Sequence, residues 1–219
     1  MTRTLRRSLA VATACVGALA AASCGPAVPH NTGVYLLLDT SGTYRQELDK
    51  AKQIINYTLA RLDGLDTFAV ARIDTGSFSE QDIMAKVTLD DRPSAANQQK
   101  REFAQAVARF LDETPSSPYT DITGGLLQAV EFLNEKQPGR KTIFIFSDLK
   151  EDLEAGYIRD IDVPVGGFEV VALNVTKLRS DNVDPREYLE RLDAWKERIE
   201  AEGGTWRVIN DLDRLETLL

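Results

Sequence analysis

The sequence predicts an α/β fold: a doubly wound, mostly parallel sheet with one antiparallel edge strand and helices on both faces. Three observations carry this. Val34 to Leu38 and Thr142 to Phe146 are continuous apolar runs of strand length, as in strands buried on both faces. Stretches with apolar residues at helical spacing alternate with such runs, as crossover units require. Both runs turn polar at their carboxyl ends, at Asp39 and at Ser147-Asp148, where sheets of this kind bind ligands.

Taken in order, Val34 begins the first strand, and Leu48, Ala51, Ile55, Leu59 and Leu62 then mark a helix that Gly64 stops. Phe68 to Ile73 is the next strand and ends in Asp74-Thr75-Gly76-Ser77. Met84 to Leu89 alternates with Lys86 and Thr88 as a half-exposed edge strand would, and the short connection before it predicts an antiparallel hairpin. A turn at Asp90 to Ser94 opens a helix with Phe103, Val107, Phe110 and Leu111 on its buried stripe. The rigid, polar loop from Thr114 to Tyr119 follows. Thr120 to Gly125 leads into a helix faced by Ile122, Leu126, Ala129, Val130 and Leu133. After the strand at Thr142 come a strand at Phe168 to Leu173 and a helix on Tyr188, Leu192, Trp195 and Ile199. Gly203-Gly204 breaks that helix, and a strand at Trp206 to Ile209 and a short terminal helix complete the chain.

The first 23 residues carry Arg3, Arg6 and Arg7 and then an apolar run from Leu9 to Ala22, with no acidic residue. That run falls short of the ~20 residues a bilayer span needs, so it reads as a secretory signal. Its end, Leu19-Ala20-Ala21-Ala22-Ser23-Cys24, resembles the lipobox of bacterial lipoproteins, although Ala21 stands where Leu, Val or Ile is commoner. The resemblance implies lipidation at Cys24 after cleavage. Residues 1–23 are then the signal peptide, 24–32 a short lipid-anchored tether and 33–219 one domain. Cys15 leaves with the signal, so no disulfide can form within the mature chain. The stretch from Gly25 to Asn31 spans at most about 25 Å, which keeps the domain close to the membrane. Gly25 replaces the aspartate linked to inner-membrane retention, which favours an outer-membrane or periplasmic-face location in the envelope of a host with two membranes.

Loss of three arginines with the signal takes the net charge from −8 to −11. Such a balance excludes nucleic acid and anionic lipid as partners through bulk electrostatics. His30, the single histidine, lies in the tether, which removes histidine-based acid/base catalysis from the domain. Asp74-Thr75-Gly76 has the triplet of aspartic proteases but follows a strand of an α/β pattern, so it reads as a loop. The sequon Asn174-Val175-Thr176 reads as loop too, and Trp195 and Trp206 as core.

The chemistry lies in Asp39, Ser41, Thr43, Thr120 and Asp148, which offer only hydroxyl and carboxylate oxygens. Such hard ligands suit Mg²⁺, Mn²⁺ or Ca²⁺ and disfavour zinc. Asp-x-Ser-x-Thr after the first strand, Thr-Asp-Ile-x-x-Gly-Leu entering a helix and Ser-Asp after a later strand resemble, in that order, a von Willebrand factor type A domain. The resemblance covers essentially the whole mature chain and implies a Rossmann-like sheet with a metal-ion-dependent adhesion site. By that resemblance Ser41, Thr43 and Thr120 touch the metal directly, and Asp39 and Asp148 act through water. A carboxylate from a protein partner completes the coordination, and no small-molecule substrate is implied.

Two positions depart from the family pattern. Thr43 replaces the commoner serine and keeps its hydroxyl, and Leu149 replaces the usual glycine after Asp148. Tyr44, Tyr119 and Lys150 are candidates for a partner-contacting rim. The domain is read as a binding module, not an enzyme. The main alternative is a haloacid-dehalogenase-type phosphatase with Asp39 as nucleophile and Asp148 and Asp152 as distal carboxylates; Ser41 then stands where a second acid is needed, and Thr120 is left without a role. A metal-free scaffold of the same fold is the third reading.

Overall fold

The computed structural model describes residues 29–42, 44–74, 80–113, 116–156, 161–211 and 218. The expected signal peptide, Cys24, Thr43 and the short terminal helix lie outside the described residues. Six strands form one sheet in the order β3-β2-β1-β4-β5-β6. They are β1 (Thr32–Asp39), β2 (Thr67–Ile73), β3 (Ile83–Thr88), β4 (Arg140–Phe146), β5 (Phe168–Leu173) and β6 (Thr205–Ile209). All neighbours are parallel except β2 and β3, which pair antiparallel with a register shift at Val70/Ala71. The sheet is therefore the doubly wound, mostly parallel one that the apolar runs predict.

β1 is central because its sequence leaves it nothing to show to water. Val34 to Leu38 are all fully buried, and Leu36 lies between Val70 of β2 and Phe144 of β4. Alternation divides these side chains between two cores. Val34, Leu36 and Leu38 face α1 (Leu48–Arg61) and α2 (Pro93–Glu113), meeting Ile54, Ile55, Phe103 and Val107. Tyr35 and Leu37 face α3 (Ile122–Lys136) and α4 (Arg186–Ala201), meeting Ile122, Leu126, Trp195 and Ile199. Gly125 and Gly33 let α3 and β1 approach closely: a Cβ at Gly125 would lie 2.8 Å from Leu37 Cδ2, and one at Gly33 2.8 Å from Leu133 Cδ2, so a larger residue at either point would require a side chain to shift.

Element boundaries follow local chemistry. α2 begins at Pro93, whose missing N–H costs nothing in a first helical turn. Asp121 caps α3 by accepting from the Gly124 amide at 2.8 Å. Two side chains are less buried than expected, since Phe110 and Trp206 are half-buried at the margins of the two cores. From β1 the chain turns to β2 on one side and later to β4 on the other, so the carboxyl end of β1 is a topological switch point.

Burial divides substitutions sharply. Phe144→Ala, at a fully buried position, is expected to cost about 3–5 kcal/mol. Val183→Ala, at a position 89% exposed, should change stability by less than about 0.5 kcal/mol. Urea denaturation of the two variants checks the contrast.

Candidate metal centre

Three loops meet at this switch point. The first leaves β1 at Asp39, which is 1% exposed and has both carboxylate oxygens engaged. Oδ1 accepts from the Ser41 amide and Oδ2 from the Ser147 hydroxyl, each at 2.8 Å. The second loop, before α3, is stitched to the first by a bridge between Ser41 and Ser117, with the Ser117 amide donating to Thr40 O at 3.2 Å. Thr120 is stitched to the third loop, exchanging backbone hydrogen bonds with Asp152 at 2.7 and 3.0 Å. In the third loop Asp148 Oδ1 accepts from the Lys150 amide at 2.9 Å.

This stitching brings Ser41, Thr120 and Asp148 to the wall of one open cleft of about 310 Å³, with Lys150, Asp152 and Leu178 around it. Asp39 lies behind that wall. Thr43 falls outside the described residues.

Burial pushes the Asp39 carboxyl above the ordinary carboxylate range, an effect the Ser41 and Ser147 donors only partly offset. Asp148 is raised as well, first by burial and further by the charge of Asp39, against the pull of the Lys150 amide and the cations Arg191 and Lys150. Two carboxylates held out of water, one of them raised further by the charge of the other, make a place where a divalent cation is electrostatically favoured. The donor set fits a hard cation, with hydroxyls at Ser41 and Thr120 and carboxylates at Asp39 and Asp148. Among the described residues no three His, Cys, Asp or Glu side chains group as a ready cage. A cation here would therefore lean on neutral hydroxyls.

The rim candidates separate. Lys150 is exposed and Tyr119 half-buried. Tyr44 is the correction: it is 1% exposed and cannot meet a partner. Its hydroxyl donates to Asn174 O and accepts from Asn174 Nδ2 at 3.0 Å, and its ring packs edge-on against Phe146. An aromatic beside the loop is drawn inward because it completes the core under these loops. Asn174 is itself 5% exposed, with its amide spent on Tyr44 and Glu47, which leaves the sequon nitrogen without access.

Leu149 occupies a position whose backbone suits glycine. Its φ is +65°, in the left-handed region that leucine rarely adopts, while its side chain is 2% exposed within the core of α3 and α4. Burial compensates for the backbone conformation. Other supporting residues carried less signal. Glu151, which accepts from the Thr123 amide at 2.7 Å, and Asp74, which accepts from Ser117 Oγ at 2.6 Å, act across long sequence separations that no local pattern marks.

No protein-family model matches the chain, and no curated protein matches it. Solved structures do. A von Willebrand factor type A protein from Catenulispora acidiphila aligns with a TM-score of 0.50 at 18% identity, over 85% of this chain and 40% of that one. The pilus adhesin SpaC of Lactobacillus rhamnosus GG aligns with 0.52 at 14%, over 86% of this chain and 29% of that one. The manganese-loaded TRAP protein of Plasmodium vivax aligns with 0.51 at 12%, over 86% and 73%. The chain thus spans well under half the length of the first and second of these. It has the von Willebrand factor type A fold. Among the described residues no helix is long and apolar enough to cross a membrane.

The two terms at Leu149 can be set against each other. Leu149→Ala keeps the left-handed backbone and loses burial, for a cost of about 2–5 kcal/mol. Leu149→Gly loses the same burial but relieves roughly 1 kcal/mol of backbone strain. Thermal denaturation should therefore rank wild type above Leu149→Gly, and Leu149→Gly above Leu149→Ala.

Proposed function

We propose that this domain binds a divalent cation, Mg²⁺ or Mn²⁺ in the first instance and Ca²⁺ as a variant, and uses it to capture a carboxylate of a protein partner. Ser41, Thr43 and Thr120 would be the direct ligands, with Asp39 and Asp148 behind intervening waters. The observation that carries this reading is the convergence of Ser41, Thr120 and Asp148 on one cleft backed by the buried Asp39 carboxylate. The bound cation supplies an electrophilic charge that neutral hydroxyls leave under-neutralised, so an anionic oxygen from outside is attracted to it. Around that point this chain orients rather than reacts. The Ser41 amide and Ser147 hydroxyl fix Asp39, the Lys150 amide fixes Asp148, and the exposed Lys150 side chain adds a positive rim.

The phosphatase alternative asks Asp39 to attack a substrate. A carboxylate 1% exposed, with a hydrogen bond on each oxygen, is poorly placed for that, so binding and not catalysis is the favoured role. Anchoring through lipid on Cys24 completes the proposal. It places the domain on the cell envelope, outside the cytoplasm, within reach of a partner there.

Calorimetric titration with Mg²⁺ and Mn²⁺ is expected to give saturable binding that the Ser41→Ala, Thr120→Ala double variant loses. Thermal shift should agree, since a ligand bound only to the native state at a hundred times its Kd adds about 2.7 kcal/mol of stability. Titration with no heat and no shift would leave a metal-free scaffold. For the anchor, Cys24→Ser is expected to move the protein from the detergent phase to the aqueous phase on Triton X-114 partitioning.

A further inference from the structure

The loop that carries Asp148 receives much of its backbone support from α4. Arg191 Nε donates to Asp148 O at 2.9 Å, while its Nη1 and Nη2 reach the two carboxylate oxygens of Asp181 at 3.3 and 2.9 Å. The Asp181 side chain is fully buried, so this guanidinium has little freedom. Trp195 Nε1 donates to the next carbonyl, Leu149 O, at 3.0 Å. Further along the helix Arg198 Nη1 donates to Thr123 Oγ1 at 2.8 Å and lies 3.9 Å from Glu151, which itself accepts from the Thr123 amide. Residues 191, 195 and 198 share one face of the helix by their spacing, so a single stripe holds residues 148, 149 and 151 of this loop.

The grip matters because of what lies between its two fingers. Leu149 holds φ +65°, and such a conformation persists only where its surroundings over-determine it. Carbonyls 148 and 149 are each pinned by a donor from α4. The peptide planes that follow Cα of Asp148 are thereby fixed, and with them the direction in which its carboxylate leaves the backbone.

We infer that α4 sets the pose of Asp148 toward the cation, that Arg191 and Trp195 are positioning residues for the metal site, and that cation occupancy and the seating of α4 are coupled. This rests on the cation-binding reading above. Outer residues that orient metal ligands change metal affinity by roughly 10–100-fold when lost. By linkage, a helix that tightens the cation is itself tightened by it. A merely structural Arg191–Asp181 pair would change stability and leave affinity alone.

The test is Mn²⁺ alone titrated into the full-length chain in detergent, with free Mn²⁺ read by electron paramagnetic resonance well below each variant's Tm. Arg191→Met and Trp195→Phe are expected to raise the Mn²⁺ Kd by about 10-fold or more. Ile199→Val, buried on the same helix within the core of α3 and α4, serves as the destabilised control and should leave Kd within twofold of wild type. Hydrogen exchange across Arg186–Ala201 should slow with Mn²⁺ in wild type and not in Arg191→Met. Should Arg191→Met fail to fold, Trp195→Phe carries the test, since it keeps an aromatic ring and removes the indole donor. Wild-type affinity in both variants, or an equal loss in Ile199→Val, would overturn the inference while the cation reading stands. A wild type that binds no Mn²⁺ would overturn both.

Discussion

A carboxylate stands at the end of a strand that is buried on both faces, and the upper end of the molecule is arranged around that fact. Asp39 leaves water almost completely when β1 takes its place between β2 and β4. An uncompensated buried charge is costly, so each oxygen has a donor. One donor comes from its own loop and the other from Ser147, at the end of the adjacent strand. The requirement to satisfy one side chain thus ties two loops together at the switch point of the sheet. The compensation is partial, because both Asp39 and Asp148 remain above the ordinary carboxylate range. What the polypeptide leaves uncompensated, a cation is suited to complete.

The cleft stands on two different foundations. The core of α1 and α2 reaches it through Tyr44, which lies under the first loop and is bonded to Asn174 at the end of β5. The core of α3 and α4 reaches it through Leu149 and Trp195. Between them, Asp74 and Arg72 brace Ser117, with the Arg72 guanidinium 3.0 Å from Asp74 and 2.9 Å from Asp82. Each of the three loops therefore has an independent support. Polar side chains carry these supports, and their directionality fixes loop geometry in a way apolar packing alone does not.

Strand and helix positions were readable because each depends on a local period. Continuous apolar runs marked β1, β4 and β5, alternation marked β3 as an edge, and helical spacing marked α1 to α4. The polar switch at a strand end is also local and marked Asp39, Ser41 and Asp148 as candidates, while Thr120 was marked by the Thr-Asp-Ile pattern that enters a helix. Residues whose role depends on a distant partner were not. Tyr44 next to a polar loop looked like surface until its contact with Asn174, 130 residues away, was visible. Arg191 reads as one more charge on a surface helix, yet it spans 43 residues to the Asp148 carbonyl. Leu149 departs from a glycine pattern, and only its φ together with its burial explains how the departure is accommodated.

The most direct measurement is crystallography on crystals grown with Mn²⁺, with diffraction recorded at the manganese absorption edge. The predicted result is one anomalous peak in the cleft, with Ser41 and Thr120 hydroxyl oxygens about 2.1 Å from it, as hard-cation coordination requires, and with Asp39 and Asp148 behind waters. A cleft holding only water, or a peak on other residues, would contradict the claim that these loops were built around a cation.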